Sequence, residues 1–330
     1  MIFSTVFELP LHSQQLTHPS TVLTFKVLRS FVLDICRLEM SIWDDTQYWV
    51  QWQVPVCAFI IAAPAVLALR FVKKLKAQPL NYADLWTPCW KNFSPVWLLY
   101  YRAFAFVCLA WMLYEMVAFA GAFCFFFYTQ WTFALVMVYF ALGTIVSAYG
   151  CRLSSKKPHS KNGDSAESVQ RELEEIQQKV GLWGYLMLIT YQTCAGAVML
   201  TDIVFWCILV PFLLGDQFSI TLLIGGIHSL NAVFLILDTA LNRLPLLWSG
   251  FAYFVLWSCL YVTFQWVIRA CGFYKWWPYP FLELNTPWAP IWYFSLALVH
   301  VLCYWIYVQI EKMKISVLPR LFPQAFVRSF

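Results

Sequence analysis

The chain has 330 residues, of which 61% are hydrophobic, 19% are aromatic and 12% are charged, and its net charge is +5. A soluble domain has about 25% charged residues, so this chain has too few charges to cover a water-exposed surface. The composition therefore excludes a soluble enzyme and a disordered protein. It predicts an all-α integral membrane protein whose partner is membrane lipid and not nucleic acid.

Seven stretches are long and apolar enough to span a membrane as helices. In chain order they are 52–69, 103–127, 131–149, 182–206, 220–241, 246–267 and 291–308. Tyr128-Thr129-Gln130 separates the second from the third and predicts a tight turn, and Gly225-Gly226 predicts a break in the fifth. We expect one bundle of about seven transmembrane helices within residues 40–320, with a polar loop at 151–180 and a tail at 321–330.

Residues 1–39 precede the regular sequence that begins at Met40. They contain no apolar core followed by a cleavage site, which disfavours a signal peptide. We expect them to form an N-terminal extension that the bundle does not require.

Lysine and arginine are distributed unevenly between the two ends of the expected bundle. Successive loops lie on opposite sides of the membrane. The loops and terminus on one side hold 17 of these residues, and those on the other side hold 5. Because positive loops stay in the cytoplasm, this bias predicts an outside or lumenal N-terminus and a cytoplasmic C-terminus. Such a protein belongs in the plasma membrane or the endoplasmic reticulum.

No familiar cofactor or metal motif occurs in the chain. None of its eleven cysteines forms a Cys-x-x-Cys pair, and most lie inside apolar stretches. The phosphate-binding, dinucleotide-binding, zinc-protease and serine-hydrolase motifs are all missing from the sequence. We therefore expect no metal and no organic cofactor.

Ionisable side chains inside spans are costly and usually serve a function. Five occur here: Glu115, Asp202, His228, Asp238 and His300. Glu115 and Asp238 have a structural alternative, which is to pair with Arg102 or with backbone amides. His300 is expected to pack against its neighbours.

A threonine hydroxyl becomes a nucleophile when a neighbouring base takes its proton. Thr132, with Thr129 as the fallback, lies at the same membrane end as His228, whose neutral imidazole is a suitable base near pH 7. Asn231 and Asp202 are expected to support the imidazole. The structural alternative is that His228 only bridges helices and that Thr132 bonds the carbonyl four residues earlier.

Two segments resemble a known family of membrane proteins. Gly226-Ile227-His228-Ser229, followed by an apolar run ending at Asp238, resembles the Gly-x-His-Thr segment of the androgen-induced-protein family. Trp277-Pro278-Tyr279-Pro280-Phe281-Leu282-Glu283 resembles that family's segment before the last helix. Tyr128-Thr129-Gln130-Trp131 is closer to the related Rolling stone proteins and their plant relatives. The resemblance covers about residues 100–310.

The animal branch of that family contains intramembrane threonine hydrolases that cleave fatty acid esters of hydroxy fatty acids with one threonine and one histidine. The resemblance places the histidine at His228. The family's threonine lies four residues after a tryptophan, whereas Leu135 stands four residues after Trp131 and Thr132 follows that tryptophan directly. Thr132 and Leu135 share one helix face, so a shifted register would place Thr132 in the threonine's role.

The sequence leaves three functions open. The first is an intramembrane lipid-ester hydrolase with Thr132 and His228. The second is a non-enzymatic Rolling-stone-like protein for cell contact, fusion or assembly, with protein partners docking on the outer aromatic loop 271–290 and on loop 151–180. The third is a carrier for small solutes or ions built around the acidic residues of the spans.

Overall fold

The computed structural model describes residues 45–75, 82–156, 166–213 and 221–327. The N-terminal extension 1–39 and the centre of loop 151–180 lie outside the described residues. In the described ranges the chain is helical, and the strand-like pairing found there is an isolated bridge between Trp90 and Phe326.

The helices run in chain order along the described ranges, with two short irregular helices continuing α3 and α5. The α-helices are α1 Asp45–Val50, α2 Gln53–Lys74, α3 Pro95–Ala120, α4 Tyr128–Lys156, α5 Ala166–Val204, α6 Leu222–Ile227, α7 Leu230–Leu241, α8 Phe251–Ala270 and α9 Ala289–Leu321. A 3-10 helix, Gly121–Phe126, extends α3, and a π-helix, Phe205–Leu213, extends α5. Seven helical stretches are long and apolar enough to cross a membrane, so the chain is a multi-pass membrane protein.

The turn between the second and third spans lies earlier than the sequence predicts. Helix α3 ends at Ala120, and Gly121 adopts a left-handed φ of 62° that favours glycine. The 3-10 helix follows, and Tyr128-Thr129-Gln130 forms the first turn of α4 instead of a separate tight turn. Thr129 and Thr132 are therefore both held by regular helical backbone.

The fifth span is broken, but not at its two glycines. Gly225 and Gly226 lie within α6, where Thr221 caps the helix by accepting a hydrogen bond from the backbone of Ile224 at 3.3 Å. The break falls at His228 and Ser229, and α7 then begins at Leu230. His228 thus caps the end of α6, two residues after the break that the sequence predicts at Gly225-Gly226.

Helix α5 is longer than the predicted fourth span. It has 39 residues, which is about 58 Å of helix at 1.5 Å per residue, whereas a bilayer core is about 30 Å thick. Its first turns therefore extend beyond the membrane. The second half of the predicted polar loop 151–180, from Ala166 onward, is thus helical and continuous with this span.

One end of the bundle is closed by residues 271–288, which we call the aromatic loop, and we call this end the aromatic end. Helix α1 packs against the loop: Tyr48 donates a hydrogen bond to Glu283 at 2.6 Å and accepts one from the Trp277 indole at 2.8 Å. Burial and the nearby Glu283 carboxylate raise the pKa of Tyr48 above its ordinary value. The Tyr48 hydroxyl therefore remains a donor at neutral pH.

The opposite end of the bundle is held by the C-terminal tail. Val327 donates a backbone hydrogen bond to Cys89 at 2.7 Å, and Cys89 donates in turn to Leu241, the last residue of α7, at 2.8 Å. The Cys89 side chain is fully buried, and burial raises the pKa of its thiol to about 11. The tail thus joins the segment before α3 to the end of α7.

An ion pair lies inside the bundle in the half away from the aromatic loop. Arg102 of α3 and Asp238 of α7 are fully buried, with 2.9 Å between Arg102 Nε and Asp238 Oδ1. Arg102 also donates to the Leu85 carbonyl and to the Ser147 hydroxyl, both at 2.8 Å. Tyr139 donates to Asp238 at 2.5 Å. The charges are therefore neutralised and hydrogen-bonded, as buried ion pairs require.

The orientation predicted from lysine and arginine can be tested with two cysteines. Cys271 is exposed in the aromatic loop, and Cys151 is partly exposed near the other end of α4. We expect a membrane-impermeant maleimide to label Cys271 from the outside or lumenal face of sealed vesicles of known orientation. In a chain that also carries Cys36→Ser and Cys207→Ser, the signal should disappear in Cys271→Ser and persist in Cys151→Ser. Labelling of Cys151 from that face would reverse the orientation.

Candidate functional site

The break at His228 lies against the π-helix that continues α5. The His228 ring stacks on Phe205 with 3.5 Å between the ring centroids and 2° between the planes. The Trp206 indole donates to the His228 carbonyl at 2.8 Å and is 3.2 Å from the Ser229 hydroxyl. Irregular backbone inside a membrane occurs where protein or a cavity satisfies it, and π-helices are frequent at functional sites. Two such irregularities meet here.

Asp202 and Asn231 lie at the same junction as His228. Asn231 of α7 is fully buried and donates from Nδ2 to Asp202 Oδ1 of α5 at 3.2 Å. The structure thus brings together the predicted base, His228, and the two residues that the sequence predicts to support it. Asn231 bonds Asp202, however, while His228 Nδ1 is buried and has no hydrogen-bond partner among the described residues. The imidazole is held by stacking and not by the predicted side-chain bond.

Thr132 differs from other buried threonines of the spans. It is fully buried, and its hydroxyl has no hydrogen-bond partner in the described part of the chain. Five threonines of the spans donate to the carbonyl four residues earlier, namely Thr144, Thr190, Thr193, Thr201 and Thr239. Tyr128, whose hydroxyl is 2.9 Å from Ser258, lies one turn earlier and also interacts with the Thr132 side chain. Thr132 therefore lacks the backbone bond that the five other threonines make.

Thr129, the fallback nucleophile, also lies beside a tyrosine. Its side chain interacts with Tyr279, whose hydroxyl accepts a hydrogen bond from the Tyr128 backbone at 3.1 Å. Burial raises the pKa of Tyr279 to about 12, and the contacts with Thr129 and the α4 backbone oppose that rise. Each of the two threonines therefore interacts with a tyrosine side chain, and this contact does not rank them as nucleophiles.

Thr132 and His228 lie at the same end of the bundle without a direct bond. Thr132 is four residues into α4, about 6 Å from the start of that helix, and His228 ends α6, which also begins at the aromatic end. No hydrogen bond joins the two side chains within the ranges that the structure describes. Catalysis by this pair requires the imidazole and the hydroxyl to come closer than they are here.

A cavity of about 70 Å³ lies beside this junction, between α4, α5, α8 and α9 and beneath the aromatic loop. Its walls are mostly apolar. It is lined by Tyr128, Thr129, Leu200, Thr201, Val204, Leu209, Ser258, Tyr261, Val262, Tyr279, Phe281, Leu282, Leu296 and His300. Val204 directly precedes Phe205, on which His228 stacks, so the cavity and the junction are neighbours. Thr132 and His228 are not among its lining residues.

The sequence reasoning underrates His300 and misses the π-helix. His300 lines the cavity, although the sequence favours a packing role. The rule that ionisable residues in spans are functional does single it out, so the signal was present. For the π-helix the signal is Pro211 inside an apolar run, since proline removes a backbone donor and distorts the helix around it.

The acidic residues of the carrier hypothesis do not converge. Asp238 is paired with Arg102 in the half away from the aromatic loop, and Asp202 is bonded to Asn231 at the junction. Glu115 is half-buried on α3 and makes no hydrogen bond or ion pair among the residues described. Nor do the described ranges contain three or more His, Cys, Asp or Glu side chains grouped as metal ligands.

The predicted docking surfaces are only partly open. In the aromatic loop, Trp277 and Tyr279 are buried, while Phe273 and Trp288 are 77% and 64% exposed. In loop 151–180, the residues from 166 onward are the first turns of α5. The sequence treats the aromatic side chains as one exposed set, whereas most of them cover the end of the bundle.

The chain was compared with protein-family models, with curated proteins and with solved structures, and it matches none of them.

Proposed function

We propose that this multi-pass membrane protein is an intramembrane hydrolase of lipid esters, such as fatty acid esters of hydroxy fatty acids, with Thr132 as nucleophile and His228 as base. The observation that carries the proposal is the pair of unsatisfied polar atoms at one end of the bundle, Thr132 Oγ and His228 Nδ1. A buried polar atom without a partner costs about 1–3 kcal/mol. Each such group in a native structure calls for an explanation, and a catalytic role is one.

The reaction follows from the two side chains. Thr132 Oγ attacks the ester carbonyl, and His228 takes the hydroxyl proton and passes it to the departing alcohol. The acyl group is then bound to Thr132. Water, deprotonated by His228, releases it as a fatty acid and restores the threonine. The chemistry needs no metal and no organic cofactor.

The junction supplies the movement that brings the two groups together. His228 and Ser229 belong to neither helix, so rotation at this break changes the position of the imidazole while α7 stays in place. Asn231 and Asp202 hold the start of α7 against α5 through their hydrogen bond. In this proposal they are positioning residues and contact neither the ester nor the reacting atoms.

An apolar ester reaches this site from the side of the bundle. Trp206, Cys207 and Ile208 of the π-helix are exposed on the outside of the bundle, while Phe205 behind them is buried against His228. The π-helix therefore separates the imidazole from the surrounding lipid by the width of one helix. A substrate dissolved in the bilayer reaches His228 by displacing side chains of the π-helix.

The non-enzymatic alternative, a Rolling-stone-like protein for cell contact, fusion or assembly, has one observation in its favour. Phe273 and Trp288 are large apolar side chains at an exposed end of the bundle. They make a small surface, because the neighbouring Trp277 and Tyr279 are buried. A docking role makes no use of the unsatisfied hydroxyl and imidazole.

The test is covalent labelling by a lipid fluorophosphonate, which reacts with activated hydroxyl nucleophiles. We expect the purified protein to be labelled at Thr132 and the labelling to be lost in Thr132→Val, which keeps the shape of the side chain. The matched control is Thr144→Val on the same helix, whose hydroxyl bonds the Phe140 carbonyl at 2.7 Å. Its labelling should equal that of the unaltered protein.

Two other outcomes would change the proposal. Labelling that survives Thr132→Val and disappears in Thr129→Val would move the nucleophile to Thr129. A folded, unlabelled protein would count against the hydrolase and in favour of the docking function, whose variants are Phe273→Ser and Trp288→Ser.

A further inference from the structure

A lining residue of the cavity beneath the aromatic loop, His300, has a ring nitrogen without a hydrogen-bond partner among the described residues. His300 Nδ1 lies 2.6 Å from the Leu296 carbonyl, which can only accept a hydrogen bond, so Nδ1 carries the proton. In the neutral ring the other nitrogen, Nε2, is then an acceptor. It is buried and has no hydrogen-bond partner in the described part of the protein.

The imidazole is held in this orientation on two sides. Phe254 of α8 stacks on it with 4.9 Å between the ring centroids and 28° between the planes. Phe254 itself packs against α5 where Gly196 has no side chain: a Cβ atom there would lie 2.3 Å from the phenyl ring. The stacking and the bond to Leu296 fix the ring of His300, which is one of the residues that line the cavity.

Three of the hydroxyl groups around the cavity bond within the protein. Thr201 donates to the Ala197 carbonyl at 2.8 Å, Tyr261 donates to the Phe126 carbonyl at 2.8 Å, and Ser258 bonds Tyr128 at 2.9 Å. None of these bonds involves His300 Nε2. A water molecule in a buried site needs two to four polar partners, and the walls of this cavity are mostly apolar.

The missing partner is therefore an apolar molecule with one hydrogen-bond donor. We propose that the cavity binds a lipid with a neutral hydroxyl group, whose hydroxyl donates to His300 Nε2 and whose hydrocarbon lies along the apolar walls. An ester or ether oxygen can only accept and leaves Nε2 unsatisfied. This binding site is separate from Thr132 and His228 and does not depend on hydrolysis.

The position of His300 suits such a ligand. His300 is eleven residues into α9, about 16 Å from the aromatic end, whereas Tyr279, Phe281 and Leu282 of the aromatic loop line the other part of the cavity. The cavity thus extends from the loop to the middle of the bundle. Phe281 is only partly buried, which gives a lipid a route past the loop.

The experiment uses the full-length protein in lipid nanodiscs and a photoreactive long-chain alcohol, with its methyl ether as the matched probe that lacks a donor. We expect the alcohol to label the cavity walls on α8 and α9, and the ether to bind more weakly. His300→Phe keeps the ring stacking and removes the acceptor. It should weaken binding of the alcohol roughly tenfold, the equivalent of one hydrogen bond, and leave the ether unchanged.

The matched control is His228→Phe, because His228 also stacks on a phenylalanine but does not line the cavity. It should abolish hydrolysis and leave alcohol binding intact, which separates this inference from the proposed function. Val262→Phe fills the cavity from α8 and should reduce labelling even where His300→Phe folds poorly. Equal binding of alcohol and ether, or unchanged alcohol binding in folded His300→Phe and Val262→Phe, would overturn the proposal.

Discussion

Arg102→Met is expected to destabilise the protein more than other charge removals in the described bundle. It leaves the Asp238 carboxylate fully buried without its cation, while Tyr139 and Asn242 remain as its hydrogen-bond donors. Breaking a buried ion pair on one side costs about 3–5 kcal/mol. Thermal unfolding of the purified protein in detergent should show a large fall in Tm, and expression should fall with it.

A second ion pair provides the control. Arg243 and Asp84 are 3.7 Å apart, and the Arg243 side chain is 22% exposed, so Arg243→Met should change stability by about 1 kcal/mol or less. The double variant Arg102→Met with Asp238→Leu removes both buried charges and should recover much of the lost stability. Equal Tm values for Arg102→Met and Arg243→Met would show that the buried pair contributes little.

His228→Gln is expected to reduce ester hydrolysis roughly 10²- to 10⁴-fold in kcat, which is the usual contribution of a general base. Thr132→Val should abolish the same activity. Because nucleophile and base act as one unit, combining the two substitutions should cost no more than Thr132→Val alone. The assay is release of hydroxy fatty acid from its fatty acid ester by the protein in nanodiscs.

Asp202→Asn tests the positioning role that the proposal gives this residue. It keeps a hydrogen-bonding oxygen opposite Asn231, so kcat should fall much less than in His228→Gln. Thr144→Val, on the same helix as Thr132, should hydrolyse the ester like the unaltered protein. Normal turnover by a folded His228→Gln variant would remove His228 from the mechanism and with it the resemblance-based assignment.

The seven spans are predictable from the sequence because hydropathy and the thickness of a bilayer fix the length of a spanning helix. The positions of their interruptions are less predictable. Glycine is the weakest helix former in the fifth span, yet the break does not fall at Gly225-Gly226. It falls at His228, where Phe205 stacks on the imidazole ring and the Trp206 indole donates to the His228 carbonyl. Those contacts come from another helix, so local sequence cannot reveal them.

The site shows the same limit. Composition identifies the ionisable residues in the spans, and the Arg102–Asp238 pair was among the structural alternatives. Whether a threonine hydroxyl is free depends on its own backbone: Thr144 bonds the carbonyl four residues earlier and Thr132 does not, although both lie on α4. The acceptor role of His300 likewise depends on which ring nitrogen meets the Leu296 carbonyl.

The buried pair also constrains how the chain enters a membrane. Arg102 and Asp238 are 136 positions apart. During synthesis, Arg102 therefore has no Asp238 to pair with until three further spans have emerged. A lone arginine costs about 2.5–3.5 kcal/mol at the centre of a spanning helix and less toward its end, where Arg102 is the eighth residue of α3. Helix α3 therefore gains its full preference for the bilayer only after α7 arrives. We expect α3 to remain near the insertion machinery until α7 has been synthesised, and the helices to assemble into the bundle only after that.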